Sequence, residues 1–144
     1  VTRPRLEEGT KAAGRDVRIE LTAGSMIATG ATQAEVDAEI QAAREALVFT
    51  LSTPAYWPTL EYHGLKHIGE SLRQYTREGK WAEMNDLVTD EILDIFVPQG
   101  TYDEIADILL EQYDDIAERV LFPVPADPKN DAAVRRGIEK LQGA

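Results

Sequence analysis

Apolar residues recur along this chain with two different periods, and the change from one to the other predicts its elements. Residues 6–13 read as a helix end, closed by Gly14 in the position that glycine favours past a helix terminus. Val17, Ile19 and Leu21 then alternate with Arg18 and Glu20, and the β-prone run continues past a loosening at Gly24. This predicts a strand over 17–28, ended by Gly30. Thr32 and Glu35 have the spacing of a capping box, with Thr32 as N-cap and Glu35 reaching back. The helix they open carries Val36, Ile40, Ala43, Ala46 and Leu47 at helical spacing.

Ser52-Thr53-Pro54 breaks that helix, and Pro54 suits the first turn of the next. A short helix over 55–61 and a longer one over 65–77 follow, the latter with Ile68, Leu72 and Tyr75 on one face. After a turn at 78–80, a third helix is predicted over 81–95, carrying Met84, Leu87, Val88, Ile92 and Leu93. No strand candidate occurs here, so residues about 54–95 read as a helical insertion between two βα units. Trp57, Tyr62, Tyr75 and Trp81 are spaced as its core. Beyond the apolar run 96–100, Thr101 and Glu104 form a second capping box for a helix through Ile105, Ile108, Leu109 and Tyr113. Residues 119–124 are almost wholly apolar, as a strand buried on both faces reads. A loop over 125–129 and a terminal helix over 131–142 complete the pattern.

Residues 27–35 and 96–104 share one grammar: an apolar run, Gly, Thr, an acidic first turn and an amphipathic helix. Strands followed by crossover helices imply a parallel sheet. Only two clear strands are predicted, around 17–28 and 119–124, too few to be covered by this many helices as a free-standing domain. A closed eight-fold barrel needs about 250 residues, and the chain has 144. Residues 1–144 therefore read as a single helix-rich α/β segment, incomplete alone.

Composition narrows the function classes. A hydrophobic content of 43% supports a buried core. No run approaches the length of a membrane span, and no basic segment followed by an apolar stretch opens the chain, so no signal peptide is expected. Val1 is compatible with an excised segment, a processed chain or an unusual start codon. The absence of cysteine removes disulfides, thiol catalysis and thiolate metal sites, which makes the cytoplasm the expected compartment. The net charge of −11, with basic residues scattered singly, weighs against nucleic acid. An anionic cofactor stays open, because a helix N-terminus binds phosphate without side-chain charge.

The stretch Ser52-Thr53-Pro54-Ala55-Tyr56-Trp57-Pro58-Thr59-Leu60-Glu61-Tyr62-His63-Gly64 resembles the luciferase-like flavin and deazaflavin oxidoreductases. So does the run from Glu91 through Gly100-Thr101 to Ile105, with its acidic-hydrophobic helix end, apolar run, Gly-Thr pair and acidic helix start. The resemblance covers roughly residues 3–142, fits the family's C-terminal third, and is greatest to members using coenzyme F420. It implies the C-terminal portion of a (β/α)8 TIM barrel, with cofactor at the C-terminal mouth of the strands. Hydride would pass between F420 (a deazaflavin) or FMN and an organic substrate. The family's ring-contacting and proton-handling residues come largely from early strands that this sequence does not contain, so cofactor binding and activity are expected only with the rest of the barrel. Pro98 departs from the pattern, since many relatives have a β-branched residue before the Gly, and proline removes a ladder donor.

Two groups are the candidate cofactor-side contacts. Gly100 and Thr101 could present N–H groups to a phosphate, or Thr101 could simply cap its helix. Ser52, Thr53 and Tyr56 sit at a helix break where the resemblance places an active-site loop, or form a cap and a packed tyrosine. His63 and His67 are four apart near Glu61 and Glu70, but Gly64 intervenes and no His-Glu-x-x-His occurs, so no metal is expected. Asp86, Asp90, Glu91 and Asp94, and again Glu111, Asp114 and Asp115, read as solvated acidic faces. P-loop, G-x-G-x-x-G and G-x-S-x-G motifs are absent. The expected partner is the remainder of the barrel or a second copy in a homo-oligomer. The rival reading is a non-catalytic helical interaction module descended from the same family, with Ile105, Leu109 and residues 120–122 as its interface.

Overall fold

The computed structural model describes residues 2–24, 26–125 and 127–143. Helix α1 (Thr2–Ala12) leads into an extended stretch and the strand β1 (Thr22–Ala23), which precedes β2 (Ala28–Gly30). Helix α2 (Gln33–Leu51) follows, then a 3-10 turn (Pro54–Tyr56), α3 (Trp57–Tyr62), α4 (Lys66–Glu78) and α5 (Asp90–Phe96). Strand β3 (Gln99–Thr101), α6 (Ile105–Tyr113), β4 (Arg119–Val120) and α7 (Asp131–Gln142) complete the order. The strands form two parallel pairs, β1 with β4 and β2 with β3, and no barrel closes among the described residues.

The strand expected over 17–28 is corrected to two short pieces. Gly24 adopts φ 78°, and a side chain there would meet Val120 Cγ1 at 2.9 Å, so the chain kinks where β1 approaches β4. Residues 17–21 run extended without a partner strand. The strand expected over 119–124 shrinks to Arg119–Val120, with Leu121 and Val124 exposed. A third correction is β3, which the sequence reading missed. Pro98 precedes it and contributes only an acceptor, its carbonyl taking the Ala28 N–H at 2.9 Å.

One cluster holds the first half together. Ala28 of β2, Leu47, Val48 and Leu51 of α2, Leu60 of α3, Leu72 of α4, and Ile92 and Leu93 of α5 are all buried in it, with Met84, Val88 and Val97. The helix expected over 81–95 is corrected to a turn, a 3-10 turn at Asn85–Leu87 and the shorter α5. The half-buried Arg44 explains the break. Its guanidinium takes the Val88 carbonyl and pairs with Asp90, so that carbonyl accepts from a side chain where an unbroken helix would use it. Trp81 and Tyr62, expected in this core, are 57% and 73% exposed, whereas Trp57 and Tyr75 do pack against it. Met84, carried inward by the turn, is fully buried.

Glu118 ties the N-terminal elements to the start of β4. Its Oε2 accepts the Leu21 N–H at 2.8 Å, while Oε1 accepts from Arg3 at 2.9 Å and Arg18 at 3.0 Å. The Leu21 N–H, then Arg18, then Arg3 hold this carboxyl at about 2, below its ordinary 4.5. A depressed value in the folded state adds stability above pH 4.5, and that contribution is lost as pH falls toward 2. We therefore expect Glu118→Gln to flatten the fall in melting temperature over that acid window, which thermal melts at stepped pH measure.

Candidate functional site

The C-terminal ends of β2 and β3 lie side by side, because Gly30 pairs with Thr101 and its carbonyl accepts the Tyr102 N–H at 2.9 Å. Each end turns at once into a helix, so two strand–turn–helix corners form one rim. Gly30 is required by proximity, since a Cβ there would lie 2.5 Å from Glu35 Cβ. Gly100 similarly admits Ile108 Cδ1, which would stand 2.9 Å from an added Cβ.

Backbone N–H groups at such corners are free to hold anions in principle. Here two carboxylates hold them. Glu35 Oε2 accepts the Ala31 N–H at 2.6 Å, and the Glu35 N–H donates to Thr32 Oγ1 at 3.3 Å. The capping box is present, with its return bond shifted one residue upstream. At the second corner Glu104 Oε2 accepts from the Thr101 N–H at 3.0 Å and the Thr101 hydroxyl at 2.6 Å. Those two donors hold the Glu104 carboxyl below its ordinary value. The Thr101 hydroxyl donates to Glu104 and does not cap α6 as expected. A phosphate at Gly100–Thr101 would have to displace this carboxylate. Tyr102, buried beside the rim, is pushed up by burial and by Glu35 and Glu39.

Ser52, Thr53 and Tyr56 are placed elsewhere. Helix α2 starts at the rim and is 19 residues long, so its far end lies about 28 Å away. Ser52 is buried and donates to the Phe49 carbonyl at 2.7 Å, the Thr53 carbonyl accepts the Tyr56 N–H, and Tyr56 is 52% exposed. The structure thus brings Gly100 and Thr101 together and keeps the other three at the opposite end of α2. Nothing in this arrangement converges these five residues on one ring. Of the residues the rival reading assigned to an interface, Ile105 and Leu109 are corrected to the interior, both fully buried.

Thr29 carries no signal in the residue pattern. It is 6% exposed, sits opposite Gly100 in the β2–β3 register, and its Oγ1 has no hydrogen-bond partner among the described residues. A buried, unpaired hydroxyl costs about 1–3 kcal/mol. We expect Thr29→Val to raise the unfolding free energy by about 1 kcal/mol, read from urea denaturation. A concavity of ≈ 600 Å³ lies between α6, β4 and α7, and is walled by Leu109, Tyr113, Val120, Phe122, Ile138 and Leu141. His63 stacks edge-on against Tyr62 and Phe96, and Glu61 pairs with Lys66. No described helix is long and apolar enough to cross a membrane.

Three mycobacterial proteins, one from Mycobacterium bovis and two from Mycobacterium tuberculosis strains, each described as uncharacterized, are 37% identical over 122 residues. The match covers 84% of this chain and 36% of each relative, so the chain spans about a third of their length. The family model for luciferase-like monooxygenases matches residues 1–119, and the chain belongs to that family.

Proposed function

We propose that this chain is the C-terminal portion of a luciferase-like oxidoreductase that uses F420 or FMN, and that it acts only when the rest of a (β/α)8 barrel is supplied. The observation that carries this reading is the family match over residues 1–119 combined with the one-third coverage of the relatives. The residues present do not fit an anionic cofactor by themselves. The rim donors are held by Glu35 and Glu104, and the chain carries a net charge of −11. In this proposal the cofactor-holding groups come largely from the portion outside this chain, and no chemical step is assigned to residues here. Within a completed barrel Gly100 and Thr101 would form the cofactor-side rim. Ser52, Thr53 and Tyr56 would close the far end of α2, where their hydrogen bonds already stabilise the helix break.

The insertion of residues about 54–95 is part of the same unit in this proposal, because its buried residues share one core with β2 and α2. The experiment compares this chain with a chimera in which it replaces the matched 122 residues of a mycobacterial relative. Saturable binding of F420 or FMN by the chimera, with none by the chain alone, is the expected result.

A further inference from the structure

We propose that Glu35 and Glu104 are specificity-determining residues that close the rim to phosphate, so that a cofactor bound in the completed barrel lays its anionic part away from the corners at Gly30 and Gly100. A glycine beside a helix start is room for a phosphate to approach the backbone. Here the helix's own glutamate fills that room. A Cβ added to Gly30 would lie 3.2 Å from Glu35 Oε2, and one added to Gly100 would lie 3.7 Å from Glu104 Oε2. The same two oxygens accept the Ala31 N–H at 2.6 Å and the Thr101 N–H at 3.0 Å, and the Thr101 hydroxyl donates to Glu104 at 2.6 Å. Space and donors are thus occupied together at both corners, which lie side by side through the pairing of Gly30 with Thr101. Each glutamate stands three or four residues from the group it holds, so the closure is set within each corner, whatever completes the barrel.

The charges around the corners act in the same direction. The Thr101 hydroxyl, then the Thr101 N–H, hold Glu104 below its ordinary value, so it stays ionised against burial and the charge of Asp103. Burial, then Glu35 and Glu39, push the Tyr102 phenol up. Two bases reach this region from the segment after β4. Arg136 pairs with Asp103 at 3.0 Å, and Lys129, within the field of Glu35, pairs with Asp127 at 2.7 Å. Each base thus answers a carboxylate of its own. A phosphate entering here would meet filled donors and like charge, and repulsion of an unwanted group is one of the two routes to specificity. An uncharged group is not repelled, so the rim takes the neutral part of a ligand. The placing of the cofactor rests on the function proposed above, whereas the closure to phosphate belongs to this chain alone.

The test is titration of the isotope-labelled chain with inorganic phosphate at constant ionic strength, following the Ala31 and Thr101 amides by NMR. Neither amide is expected to shift saturably. Glu104→Ala frees the Thr101 N–H and hydroxyl, and should let phosphate bind there at least about tenfold more tightly than in the parent chain. If that variant loses the fold of the corner, Glu104→Gln carries the test. It keeps an acceptor for the helix start, lacks the charge, and should still bind phosphate more tightly than the parent. Saturable shifts at Ala31 and Thr101 in the parent chain would overturn the proposal, as would folded variants that bind phosphate no better. Phosphate shifts at these two amides in the chimera with a mycobacterial relative would equally overturn it. A folded chimera that takes neither F420 nor FMN would instead end the cofactor reading, with the phosphate result on the chain standing.

Discussion

Gly30→Ala should be strongly destabilising although alanine suits a strand better than glycine does. The added Cβ would stand 2.5 Å from Glu35 Cβ and 3.2 Å from the Glu35 carbonyl carbon. Both atoms move only with the helix, so relief requires shifting the first turn of α2 off β2. Such overlap costs about 1–3 kcal/mol, and the same shift disturbs the Thr32–Glu35 cap, worth about 1 kcal/mol more. Gly100→Ala is the control. Its Cβ would meet Ile108 Cδ1 at 2.9 Å, the far end of a side chain that can turn aside, so the loss should be smaller. Urea denaturation of the two variants decides the point, and equal losses would mean that α2 can slide.

Leu93→Ala should lose about 2–5 kcal/mol, and the loss should be felt by the whole first half of the chain. Leu93 is 1% exposed and sits in the cluster that joins β2 and α2 to the helices of the insertion. If the insertion were an appendage, the variant would unfold it locally and leave α2 protected. A shared core predicts a single transition displaced to lower urea, with fluorescence of the half-buried Trp57 and far-UV circular dichroism moving together. Amide exchange that rises in α4 and α5 while α2 stays protected would contradict this.

The sequence made some of this legible and hid the rest for identifiable reasons. Both helix starts at the rim were visible because capping is local: Thr32 with Glu35 and Thr101 with Glu104 lie within one turn of each other. What the spacing did not show is that both carboxylates fill the rim's own donors, shifted by one residue at Ala31 and reversed at the Thr101 hydroxyl. The break near Val88 was hidden because its cause, Arg44, lies 44 residues away. Strand β3 was invisible because it is three residues long, contains a glycine and follows a proline. The strand over 17–28 was over-read because an alternating pattern reports a capacity to pair, and only Thr22–Ala23 and Ala28–Gly30 find partners within the chain.

The separation of the candidate residues was only half within reach of the sequence, since the pairing of Gly30 with Thr101 places the second group at the rim. A helix of 19 residues between Gly30 and Ser52 already puts the two groups at opposite ends. Glu118 and Thr29 carried no sequence signal at all, since their significance lies in contacts, or their absence, across the fold.

One titration bears most directly on the central claim: F420 and FMN, followed by absorbance and fluorescence, added to this chain and to the chimera with a mycobacterial relative. The account predicts saturable binding of one of them by the folded chimera and none by the chain. Stoichiometric binding by the chain alone, or a folded chimera that binds neither, would contradict it.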